Sequence, residues 1–178
     1  ISKLLSRIQS WRHKSPAHFS ELTPMADLKI LCIGDIMLDV TVLLNRPIVE
    51  GLETRARIST QGGGAAANVA SWLSHNKTNS YLVTRVGDDS AGRTVLAELD
   101  AFGVEHSNNI IPNTSTGVVV VIVGSEGERT MFPDSGANSG LGLSDLPDLS
   151  QFSAVYLSAY SLINAESRSG VLEIIAEI

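Results

Sequence analysis

The sequence predicts an α/β fold: a mostly parallel sheet flanked by helices, with a small β element beside it. Three observations carry that expectation. Short apolar runs that read as buried strands alternate along the chain with helical patterns. Two further strand-like stretches, 54–61 and 118–132, have polar faces and fit poorly inside a parallel sheet. The 178 residues are 43% apolar and 18% charged, enough to bury one core and too apolar for a disordered chain.

The elements follow in chain order. Lys29–Ile33 is an apolar run ended by Gly34-Asp35, the pattern of a buried strand. Residues 54–61 alternate, with Arg55, Arg57 and Ser59 on one face and Ala56, Ile58 and Thr60 on the other, which predicts a strand with one wet face. Gly62-Gly63-Gly64 follows, then an Ala-rich helix over 65–74 with Ala66, Val69, Ala70 and Leu73 inward. Residues 81–86 are strand-like. Gly87-Asp88-Asp89-Ser90 offers N-cap side chains to a helix over 91–102, and Gly103 is its C-cap. The β-branched run 116–123, the turn Gly124-Ser125-Glu126-Gly127 and residues 129–132 form a hairpin. Residues 155–157 are another buried strand. The segment 166–178 places Val171, Leu172, Ile175 and Ile178 at helical spacing and reads as a helix cut near its end, with no Gly or Asn cap.

Composition narrows the function. The single cysteine, Cys32, excludes an internal disulfide framework and a Cys-rich zinc site. A net charge of −6 argues against nucleic-acid binding, which needs a basic face. The longest apolar run, 117–124, is far shorter than the ~20 residues of a membrane span. A cytoplasmic globular domain is expected. Residues 1–24 differ: they carry Lys3, Arg7, Arg12 and Lys14 against Glu21 alone, with Leu4, Leu5, Ile8 and Trp11 at helical spacing. They read as a flexible basic leader, with an organellar transit peptide as the alternative. Met25, just before the first strand, is placed as an older start would be.

Two motifs carry chemistry. Gly62–Asn68 brings bare backbone and exposed helix-start amides to a ligand that is anionic or rich in hydroxyls, with the Asn68 amide one turn inside. The same glycines satisfy Gly-x-Gly-x-x-Ala, but they follow a strand bearing two arginines, whereas a dinucleotide fold needs a buried first strand there. A P-loop pattern is absent from the sequence. The second motif is Asp35 and Asp39, just beyond the first buried strand, where α/β proteins bind ligands and where carboxylates accept hydrogen bonds from vicinal hydroxyls. Asp35 serves equally well as a turn cap; Asp39 has no evident capping duty. His13, His18, His75 and His106 read as solvated surface without metal-ligand spacing.

These pieces together resemble the ribokinase-like (PfkB) carbohydrate kinase family. Gly34-Asp35-Ile36-Met37-Leu38-Asp39, Gly62-Gly63-Gly64-Ala65-Ala66-Ala67-Asn68-Val69-Ala70, Gly87-Asp88-Asp89-Ser90-Ala91-Gly92, Thr116-Gly117 and Gly136-Ala137-Asn138 occur in that family's order. The resemblance covers about residue 28 onward, so 25–178 is expected to be the N-terminal part of a kinase domain. It implies a β lid, with strands within 41–61 and 116–132, closing over a sugar or nucleoside; such lids often pair across a dimer axis. It implies transfer of the ATP γ-phosphate to a hydroxyl with Mg²⁺. Asp39, Gly63, Gly64 and Asn68 match substrate-binding positions. Asp35, Met37, Asn138 and Tyr160 are further candidates, and Met37 and Tyr160 stand where ribokinase itself has polar ligands, which argues against ribose. The family's second signature, Asp-Thr-x-Gly-Ala-Gly-Asp, with its anion hole and general base, is absent from these residues. They are therefore expected to supply the sugar-binding half of a kinase, inactive by itself and with its general-base Asp beyond residue 178. The alternatives are a non-catalytic remnant binding a polyol or a partner subunit and, from the glycine fingerprint alone, a nicotinamide-dependent dehydrogenase fragment.

Overall fold

A computed structural model describes residues 28–178. The expected basic leader, Met25, His13 and His18 lie outside the described residues. In chain order the strands are β1 (Lys29–Ile33), β2 (Met37–Leu43), β3 (Arg57–Gly63), β4 (Asn79–Val83), β5 (Val86–Gly87), β6 (Glu105–His106), β7 (Ile110–Ile111), β8 (Val118–Val123), β9 (Arg129–Asp134) and β10 (Ala154–Leu157). The α-helices are α1 (Ala65–His75), α2 (Ser90–Ala101), α3 (Tyr160–Ile163) and α4 (Arg168–Glu177).

The main sheet has the order β10-β1-β4-β6 and is parallel at every pairing. The apolar run of β1 makes it a strand covered on both faces. Cys32 and Leu82 face α1 and α2, packing with Ala66, Ala67, Ala70, Val95 and Leu99. Leu31, Ile33 and Val83 face α4, packing with Val171 and Ile174. The alanines of α1 let that helix approach the sheet closely. Burial pushes the Cys32 thiol up to about 12, so it stays protonated.

The caps follow the sequence. Asp89 accepts from Gly92 N at the start of α2. Gly103 takes φ +72° after it, and Gly103 and Val104 donate back to Asp100 and Leu99. Asp89 also accepts from Thr116 N (2.9 Å) and Thr116 Oγ1 (2.7 Å). Against a desolvation penalty, these bonds from Thr116 and Gly92, with nearby Arg93, hold its carboxyl below the ordinary aspartate range.

A second sheet has the order β3-β2-β8-β9. β2 runs antiparallel to β3 and parallel to β8, and β8 and β9 form the expected hairpin. Its strands extend past the expected 41–61 and 116–132. β2 already starts at Met37, because Leu38 donates to the Gly117 carbonyl and the ladder continues to Gly63. β9 reaches Asp134, whereas Thr116 is drawn out of β8 by Asp89. Three further expectations are corrected. β10, expected as a buried strand, lies at the edge of the main sheet with Ala154 and Val155 exposed. β3 is wet on both faces over 57–61, since it is an edge strand with Ile58 63% exposed. The His106 ring is largely buried rather than solvated, with Nε2 3.2 Å from Asp100 and Nδ1 3.3 Å from the Ser107 carbonyl.

Candidate functional site

β1 is the strand from which the chain departs in both directions, to β4 on one side and finally to β10 on the other. The crevice beyond the carboxyl ends of such strands is where open α/β sheets bind ligands. Gly34 and Asp35 lie there. The Gly34 amide donates to Val83 and the Ser158 amide to Ile33, which closes the strand ends over this point.

Asp35 is consumed by the fold. Its Oδ2 accepts from Ala65 N (2.7 Å) at the first residue of α1, and its Oδ1 accepts from Ser158 Oγ (2.6 Å) beyond β10. Its backbone carbonyl accepts from Ala67 N (3.3 Å). The helix-start amides of Ala65 and Ala67, expected to be exposed to a ligand, are therefore satisfied by Asp35. Gly64 makes this possible: it sits at φ +96°, and a Cβ there would come 2.6 Å from the Asp35 carbonyl oxygen.

Asp39 has the opposite character. It lies inside β2, not in a loop beyond β1, and its carboxylate rests against Gly63 so closely that a Cβ on Gly63 would overlap it. One carboxylate oxygen, Oδ1, is buried and without a hydrogen-bond partner. Burial, and after it the Asp35 charge, push the Asp39 carboxyl above the ordinary aspartate range. A desolvated acceptor beside bare backbone suits a ligand that brings its own donors, such as hydroxyl groups.

Met37 shares this face with Asp39, by strand alternation, and is buried with Val119 and Val121. Asn138 lies beside it, but its amide bridges protein groups. Nδ2 donates to the Ile36 carbonyl (2.8 Å) and the Ser135 carbonyl (3.1 Å), and Oδ1 accepts from Ile36 N (3.2 Å). Tyr160 opens α3 and is 67% exposed.

A cavity of about 390 Å³ opens between α1, α2 and the end of β3, with Gly62, Gly63, Asn68, Trp72, His75 and Glu98 in its wall. Asn68 thus joins the glycines, but Asp39 and Gly64 are not in this wall. The reason is strand alternation: Gly62 and Gly63 turn opposite faces to Glu98 and Asp39. The glycine fingerprint also lacks its dinucleotide context, since it follows an antiparallel edge strand of the second sheet rather than the central strand of the parallel one.

Glu98 was not foreseen as a site residue. Its Oε2 accepts from Gly62 N at 2.6 Å. The only sequence signal is its place between the inward-facing Val95 and Leu99 on α2. Among the described residues, no group of three or more His, Cys, Asp or Glu side chains fits a metal ion. Nor is any helix there long and apolar enough to cross a membrane.

Residues 27–178 match the family model described as pfkB family carbohydrate kinase. A fructokinase of Vibrio alginolyticus is 34% identical over 116 residues, 64% of this chain and 38% of the relative. An ATP-dependent ribose-1-phosphate kinase of Halopiger xanaduensis is 28% identical over 123 residues, 68% of this chain and 42% of the relative. The chain thus spans about two fifths of the length of these relatives. An uncharacterised sugar kinase from Pyrococcus horikoshii, solved in complex with ATP, superimposes with a TM-score of 0.71 at 24% identity, covering 85% of this chain and 49% of that one.

Proposed function

This chain belongs to the pfkB family of carbohydrate kinases, and we propose that it carries the acceptor-binding half of a cytoplasmic enzyme that transfers the γ-phosphoryl group of ATP to a hydroxyl of a sugar or nucleoside. One observation carries the reading. Asp39 holds a buried oxygen without a partner against the bare backbone of Gly63, on a strand that leaves the crevice beyond β1. In this reading Asp39 accepts hydrogen bonds from acceptor hydroxyls, Gly63 and Gly64 let the acceptor approach the backbone, and Asn68 donates and accepts from the neighbouring cavity wall that it shares with Gly63. The sheet β3-β2-β8-β9 is the lid, and it also pairs two copies of the chain. Met37 gives the Asp39 face an apolar neighbour, which favours an acceptor less polar at that position than ribose.

ATP and Mg²⁺ belong to the proposed reaction, where the metal stabilises charge on the transferring phosphoryl group. Among the described residues no group of three or more His, Cys, Asp or Glu side chains fits a metal ion, and no metal step is assigned to them. Phosphoryl transfer depends on positioning and charge stabilisation. The signature that would supply the anion hole and the base is absent from residues 1–178. These residues alone are therefore proposed to bind an acceptor without phosphorylating it.

The test is a panel of sugars and nucleosides scored by ADP release. The full-length gene product is expected to turn over at least one acceptor, and residues 1–178 alone none. Turnover by residues 1–178 would overturn the division of labour. A full-length product that binds polyols but releases no ADP would favour the non-catalytic reading, which the missing signature motivates.

A further inference from the structure

We propose that Glu98 is a positioning residue for the acceptor site, holding Gly62 and through it the contact between Gly63 and Asp39; the inference rests on the kinase reading of that site. β3 is an edge strand, and Gly62 donates its amide to Glu98 Oε2 at 2.6 Å. The bond is charge-assisted, and so roughly twice as strong as a neutral one. Glu98 also limits Gly62 sterically, since a Cβ there would come 2.7 Å from the same oxygen. The next residue, Gly63, meets Asp39 from the other face of the strand. The two glycines are thus gripped between two carboxylates, one from α2 and one from β2.

The two grips differ in what holds them. Glu98 extends from a twelve-residue helix anchored in the core by Val95 and Leu99, which are 1% and 3% exposed. Asp39 belongs to the second sheet, whose outer strands are exposed. Glu98 therefore ties the edge-strand side of the acceptor site to the buried helix layer. Freed from Glu98, Gly62 loses its hydrogen bond to α2, and Gly63 is expected to shift against Asp39.

The test compares Glu98→Ala with Glu98→Gln, whose amide oxygen still accepts from Gly62. In residues 1–178, hydrogen exchange at the Gly62 amide should quicken at least about tenfold in Glu98→Ala, with β1 and β4 unchanged, and stay near wild type in Glu98→Gln. In the full-length gene product, Glu98→Ala should raise KM for the acceptor about tenfold, leaving kcat and KM for ATP within about twofold, and Glu98→Gln should restore most of the loss. Unchanged exchange at Gly62 in Glu98→Ala overturns the proposal, as does faster exchange throughout β1 and β4. Faster Gly62 exchange with an unchanged acceptor KM overturns the positioning role. If the wild-type product turns over no acceptor, the kinase reading fails, and the exchange comparison alone decides whether Glu98 holds Gly62.

Discussion

The carboxylate of Asp39 occupies the space where Gly63 would carry a side chain. The β2–β3 register pairs Met37 with Gly63 and Asp39 with Gln61, so Asp39 and Gly63 are diagonal neighbours on one face of the ladder. With a Cβ excluded, the acidic side chain lies down on the backbone and takes one oxygen out of water. An unpaired buried acceptor lowers stability in the empty protein and becomes an asset once a donor arrives. Stability and binding should therefore respond in opposite directions to changes at Asp39.

Asp39→Asn is expected to stabilise the empty protein at neutral pH and to weaken it as an enzyme. Because its folded-state carboxyl titrates above the unfolded one, the folded state holds the extra proton. Stability then falls as pH rises from the unfolded aspartate value through the raised folded value. Asn removes that loss. The gain in Tm should be absent in acid, grow through this window and level off above it, reaching about 2–4 °C for on the order of 1 kcal/mol. In the full-length product, kcat/KM for the acceptor should fall roughly ten- to hundredfold, with KM for ATP nearly unmoved. Thermal melts across pH together with acceptor kinetics check both halves; an equal Tm gain in acid would show that charge is not its source.

Gly63→Ala is expected to lose both stability and acceptor affinity, because the new methyl group competes with the Asp39 carboxylate for one volume. The loss should shrink when Asp39 is also alanine. A double-mutant cycle should return a coupling of about 0.5–3 kcal/mol in urea unfolding, the range for residues in direct contact. Additive losses would mean that the methyl group is resisted by something other than Asp39.

The main sheet was legible because a buried parallel strand is written locally, as in Lys29–Ile33, and because Asp89 and Gly103 bracket their helix with cap chemistry. The second sheet was recognised by its polar faces, but its ends were not, since Met37 and Gly63 enter the ladder through pairing partners far away in sequence. The same distance hid three roles at the site. Asp35 meets Ser158, Asn138 meets Ile36, and Glu98 meets Gly62, all across separations that leave no local pattern. Asp39 stood out for the opposite reason: no nearby residue accounts for it.

Asn138 should behave as a structural residue despite its place in the glycine-alanine-asparagine motif. It is 8% exposed, and both backbone groups of Ile36 depend on it. Asn138→Ala strands the Ile36 amide and carbonyl in a buried setting, at about 1–3 kcal/mol for each unsatisfied group. A loss of about 2–4 kcal/mol in chemical unfolding is expected, with the ranking of acceptors by kcat/KM unchanged. A reordered acceptor ranking in a variant of near wild-type stability would instead place Asn138 against the substrate.

Two chains are proposed to pair through the second sheet, β3-β2-β8-β9. The register puts Val40 beside Thr60 and Val120, Val42 beside Ile58 and Ile122, and Val120 beside Phe132. Strand alternation turns these residues to the face opposite Asp39. Ile58 and Phe132 are 63% and 56% exposed there, so the apolar stripe continues to both outer strands without cover in one chain. A second copy set on this face would bury the stripe and leave the Asp39 face open to the acceptor, which makes dimer formation compatible with binding. Ile58→Asp and Phe132→Asp should each weaken the dimer by about 2 kcal/mol or more, roughly thirtyfold in Kd, since each forces a charge into the apolar stripe that the contact would bury. Both side chains are exposed in the single chain, so monomer stability should change by only about 0.5 kcal/mol. Sedimentation equilibrium of wild type and variants over a hundredfold range of concentration reads this directly. A wild type that is monomeric throughout, or variants that dimerise as it does, would remove this face as the contact between copies.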